Sequence, residues 1–130
     1  MRLPPLLAEH PAWLRVVLAG AVPVLYGALT GYFLGVSEGT YLVLSVIAVL
    51  GGIGAGFDHD GAAAGAKRGL LGGTLFGASV LITHEIHGAT AKADLPDPAV
   101  LLVVATALLG VAFGAIGGYL RARARARPAA

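Results

Sequence analysis

The chain has 130 residues, room for one domain at most. With 57% hydrophobic and 12% charged residues and a mean hydropathy of +0.82, it cannot cover itself for water, where about a quarter of residues are charged. Lipid has to solvate its outer surface, and the small net charge of +2, carried outside the apolar runs, reads as membrane topology rather than as a nucleic-acid footprint.

There is no Cys, which excludes disulfides, iron–sulfur clusters and thiol catalysis. Asn and Gln are absent too. A polar site can therefore draw only on hydroxyls, His, carboxylates, Lys, Arg or backbone.

The fold expected is all-α, with four transmembrane helices. Pro11 suits the first position of a helix running over 11–35, with Pro23 kinking it. No small-residue cleavage site follows its apolar run, so it is expected to stay uncleaved. A tight loop, Val36 to Thr40, leads to a second helix over 41–57. Asp60 is the expected N-cap of a third over 61–87. After the polar loop Gly88 to Pro96, Asp97 is expected to cap a fourth over 98–120, with Pro98 at its first position. Each stretch approaches the roughly 20 residues that cross about 30 Å of hydrocarbon.

Charge sets the orientation. With both termini cytoplasmic, Arg2, Arg15, Lys67, Arg68 and the four tail arginines lie inside, and only Lys92 of the nine basic residues lies outside. Glu38, Glu85, Asp94 and Asp97 fall on the outer side. Trp13, Phe57 and Tyr119 then mark the inner interface, and Tyr32, Phe33 and Tyr41 the outer one.

Glycine is the dominant motif. Gly61, Gly65, Gly69, Gly73 and Gly77 recur every fourth residue in the third helix. The first carries Gly27, Gly31 and Gly35, with Gly20 assigned to the same face, and the fourth carries Gly110, Gly114 and Gly118. Each costs a helix up to roughly 1 kcal/mol relative to Ala. Close approach of helix backbones is the gain that can offset such a load in lipid. A spacing of four drifts about 40° per step, so the third helix's row winds through some 160° and is expected to meet two partners. The stripes resemble the glycine-zipper pore helices of some oligomeric channels, which implies either packing within one chain or a homo-oligomer.

Two ionisable clusters stand out. Between Arg68 and His84 the apolar run is only 15 residues, about 22 Å. His84 and Glu85 are thus expected to begin inside the outer leaflet. His84 and His87 share a helix face, as half a metal site, a proton-responsive gate or a pore mouth, or simply as a polar helix end. Asp58, His59 and Asp60 form the second cluster. They read as a capping loop whose acids pair with nearby bases, or as an inner vestibule that attracts cations. The tail over 121–130 alternates Arg121, Arg123, Arg125 and Arg127 with Ala and is expected to lie on anionic lipid headgroups.

Size and helix count also resemble small multidrug transporters and dual-topology fluoride channels. The first need a carboxylate in the middle of their first helix, and none occurs here between Arg15 and Glu38. The second use Asn-containing motifs, which this chain lacks. The leading functional expectation is a homo-oligomeric pore or facilitator for a small ion or solute, without cofactor or enzymatic activity. The rival is an accessory subunit packed against a larger membrane partner. A membrane enzyme with a metal on His84 and His87 is the third reading.

Overall fold

A computed structural model describes residues 2–128. Four helices are long and apolar enough to cross a membrane: α1 (Ala12–Leu34), α2 (Glu38–Phe57), α3 (Ala62–His87) and α4 (Leu101–Ala126). A short 3-10 turn, Leu7–Glu9, precedes them. The helices run alternately up and down, so both chain ends and the α2–α3 turn share one end of the bundle. The α1–α2 turn and the 88–100 loop share the other.

The helix boundaries differ from expectation for local reasons. Pro11 stands just outside α1, as its N-cap in extended backbone. Ser37 accepts a hydrogen bond from the Thr40 amide and starts α2 at Glu38, earlier than its apolar run begins. Asp60 does not cap α3; that position belongs to Gly61, whose φ of 101° suits only glycine. Its amide donates to the Gly118 carbonyl at 3.2 Å instead. Nor does Asp97 cap α4, whose N-cap is Val100. At its far end α4 continues to Ala126, so most of the basic tail is helical.

Pro23 leaves a specific mark on α1. Residues Val17–Ala21 form a π turn, and the Val22 amide donates five residues back, to Val17. In that register the next donor, to the Leu18 carbonyl, would be residue 23. Proline has no N–H. The Leu18 carbonyl is left for another partner.

Glycine decides how the helices meet. Along the α3–α4 crossing, Gly65 faces Gly114, Gly69 faces Gly110, and Gly73 and Gly77 face Thr106 and Val103. A Cβ at any of these glycines would collide with backbone or the Thr106 hydroxyl across the crossing. On the other flank of α3, a Cβ at Gly27 would come within 2.6 Å of the Phe76 carbonyl, and Gly31 lies against Val80. Gly56 and Gly117 likewise bring α2 onto α4. So α3 and α4 form a central pair, with α1 laid on α3 and α2 on α4. Gly20, expected on the packing face of α1, touches nothing.

The buried apolar core is small: Leu34, Tyr41 and Val80, covered by Phe76, Leu102 and the 88–100 loop. The Lys92 amide ties that loop to the Leu34 carbonyl at 2.7 Å. Large side chains such as Leu25, Val43, Val46, Leu50, Ile82 and Leu108 are exposed on the outer faces.

Two alanine substitutions separate the glycines that pack from those that do not. Gly69→Ala puts a methyl on the Gly110 backbone and should cost roughly 1–3 kcal/mol. Gly20→Ala meets nothing and should be neutral, or gain up to about 1 kcal/mol in helix propensity. Thermal unfolding in detergent measures both, and equal midpoints would refute the crossing.

Candidate functional site

The residues singled out from sequence do not gather into one site. His84 is half-buried, with its Nδ1 lacking a hydrogen-bond partner. His87 is exposed and stacks on Tyr32 with ring centroids 4.7 Å apart, and it also lies beside Gly35. Glu85 is exposed. Among the described residues no group of three His, Asp or Glu converges as a metal site, at His84 and His87 or elsewhere.

At the opposite end, the Asp58 carbonyl accepts the Leu7 amide at 3.0 Å, and the His59 ring lies 3.3 Å from the Ala55 carbonyl. Asp60 pairs with Arg125 of the tail. Two arginines of the tail thus have protein partners and do not lie free. Arg121 is 5% exposed. Its guanidinium donates to the Phe57 carbonyl at 3.0 Å and to the Pro4 carbonyl at 2.6 Å, and sits 5.6 Å from the Phe57 ring centre. A cation suits the last carbonyls of α2, which have no partner inside the helix. Arg121 therefore clamps the N-terminal segment to the ends of α2 and α4. Arg123 and Arg127 are exposed.

The mid-helix hydroxyls are committed as well. Thr30, Ser45, Thr74 and Thr106 donate to carbonyls of their own helices. Tyr26 donates to Leu44 at 2.8 Å and Ser79 to Val24 at 2.6 Å, tying α1 to α2 and to α3. None of these six protons is left for a solute.

What remains is a cleft. Tyr26 joins α1 to α2 through the Leu44 carbonyl. The space between them, floored by the α3–α4 crossing, encloses about 270 Å³. Its wall includes Pro23, Tyr26, Gly52, Phe76, Thr106 and Phe113, and it is almost wholly apolar. Arg68 is the only charged residue lining it.

The position of Arg68 follows from the proline in α1. Its Nη2 donates to the Leu18 carbonyl at 3.0 Å, the acceptor that Pro23 leaves without an amide. Its Nη1 lies against Gly72, where a Cβ would come within 2.7 Å. Helical side chains ordinarily lean toward the helix N-terminus. Arg68 reaches the other way, one turn further into α3, and Gly72 leaves the room. Asp58 is the carboxylate whose charge acts on it. Among the described residues the Arg125–Asp60 pair is the only salt bridge, so Arg68 has none.

Sequence reading placed Arg68 at a boundary and missed this role. The signals were Pro23 in one helix and Gly72, outside the four-residue repeat, in another. Their convergence needs the packing of α1 on α3. Comparison with protein-family models, with curated proteins and with solved structures finds no match.

The clamp is testable by amide exchange. Arg121→Leu keeps the bulk and removes both donors, each charge-assisted bond being worth about 1.5–3 kcal/mol. Exchange at the Leu7 amide should rise at least about tenfold while the middle of α3 stays protected. Unchanged exchange at Leu7 would mean that its own burial holds the segment.

Proposed function

We propose that the chain is a multi-pass membrane protein with both termini cytoplasmic, packed through its glycine stripes, and that it works as a facilitator. The solute is held in the cleft of a single chain, not passed along a pore between subunits. The observation that carries this reading is Arg68, a guanidinium with free donors in an otherwise apolar space between four helices. Charged groups inside membrane helices are costly, and they are characteristic of sites that meet a substrate or an ion.

The same geometry lends less to a homo-oligomeric pore. The stripes that would join subunits are taken up within one chain, and the six mid-helix hydroxyls already donate to carbonyls. That second fact favours one further reading, an accessory subunit, since none of these six hydroxyl protons is left to line a polar path. The His84, Glu85 and His87 cluster would then be a polar helix end among headgroups.

Orientation is tested with single cysteines in this cysteine-free chain. Ala91→Cys should label only from outside and Ala126→Cys only from the cytoplasm; labelling from one shared side would refute the topology.

Function is tested with the purified chain reconstituted alone. A single-chain mass in nanodiscs, with solute flux into vesicles that Gly52→Leu abolishes, is the expected result. Gly52 suits this role because it lines the cleft and its Cβ would meet only Phe113, at an ordinary 3.6 Å. A stable single chain passing no cation, halide or monocarboxylate would leave the accessory reading. A defined multimer would restore the pore.

A further inference from the structure

The cleft holds one kind of polar group. Tyr26 and Thr106, the other polar side chains in its wall, give their protons to the Leu44 and Val103 carbonyls. Arg68 spends a single N–H on Leu18, and a guanidinium has five. Among the described residues the rest meet no acceptor.

Three features select the ligand. First, the unused donors lie on a planar fork, which matches a carboxylate through two parallel hydrogen bonds better than a halide or a neutral dipole. Second, the wall around the fork is hydrocarbon and glycine backbone, and it suits an apolar body. The volume, about 270 Å³, lies near the lower end of the roughly 300–1,000 Å³ of small-molecule sites. That admits a short chain or a single ring. Third, with the midpoint of α3 set at the bilayer centre, Arg68 stands about 10 Å from that centre and leans toward it, whereas half a hydrocarbon core is about 15 Å. Bilayer phosphates remain outside that depth. A small acid can enter with its own hydrocarbon.

We infer that the cleft binds a hydrophobic monocarboxylate, its carboxylate held by Arg68 and its apolar body lying between α1 and α2 against Phe76 and Phe113. The inference rests on the membrane reading above for the depth of Arg68, but not on transport. The fixed partner of Arg68 is a carbonyl, which orients the guanidinium without neutralising it, and among the described residues no carboxylate pairs with it directly, Asp58 acting only from beyond salt-bridge reach. Gly72 is part of the same arrangement, because a side chain there would push the fork out of the cleft.

The probe is radiolabelled decanoate, with labelled decanol as the uncharged control, added to the full-length protein in phosphatidylcholine nanodiscs. Empty nanodiscs correct for partition. One decanoate per chain should bind saturably, and decanol should not. Arg68→Leu should weaken decanoate binding at least tenfold. Gly52→Leu, which leaves Arg68 in place and fills the space before it, should do the same. Amide exchange across α3 and α4 confirms that both variants keep the bundle. Folded Arg68→Leu protein that binds decanoate like the parent chain would overturn the inference, as would decanol binding equal to that of decanoate. No decanoate binding, with phosphatidylglycerol carried through purification and lost in Arg68→Leu, would overturn it in favour of a lipid phosphate. Binding without flux into vesicles would refute the facilitator and leave the site standing.

Discussion

The close crossing of α3 and α4 is the constraint on which the rest of the bundle depends. Two helices meet there with almost no side chains between them, because Gly65, Gly69 and Gly73 face Gly114, Gly110 and Thr106. Such contact forgoes the burial of large side chains and relies on dispersion and Cα–H···O contacts over a long shared surface. It also fixes what lies on either side. With α3 and α4 drawn together, α1 can settle only on the Gly27–Gly31 flank and α2 on the Gly56–Gly117 flank. They join where Tyr26 donates to the Leu44 carbonyl, and residues of both line the cleft. The cleft follows from this geometry, its lining drawn from Gly69, Gly73 and Gly110 of the crossing with Phe76, Leu109 and Phe113 beside them.

Pro23 and Arg68 answer each other across that space. A proline in a helix orphans a carbonyl, which in an apolar surrounding needs a donor from elsewhere. An arginine at the same level needs an acceptor. Each makes the other tolerable, and among the described residues the guanidinium has no direct carboxylate partner. Arg121 shows the contrasting use of the same side chain. With two carbonyls and the Phe57 ring around it, it is sealed into the fold at the end of the bundle. One guanidinium is spent on structure and the other retains donors facing a cavity.

Much of the architecture was legible in the sequence, because hydropathy and length fix the existence of four long apolar helices and their alternating direction. The glycine rows were legible as packing surfaces, but not which helix each would meet. Gly117, off the four-residue repeat, carries as close a contact as Gly118, while Gly20 carries none. Caps were the least legible. Asp60 and Asp97 are favourable N-cap residues by type, yet Gly61 takes the cap of α3 through its positive φ, and Asp60 goes to Arg125. The arginine tail reads as a uniform alternation, whereas the packing divides it into a buried clamp, an ion pair and two exposed charges. The charge in the cleft was not legible, since its position depends on three residues of no shared motif, Leu18, Arg68 and Gly72, meeting in space.

The most direct test of the account is whether α3 meets α4 within one chain. Nitroxide labels on the exposed residues Thr74 and Leu108, beside the crossing, report that distance by pulsed electron resonance in nanodiscs. The account predicts one short, narrow distance that persists unchanged when labelled chains are diluted with unlabelled ones. A distance that disappears on dilution would place the partner helix in another chain, and both the single-chain cleft and the reading of Arg68 would fall with it.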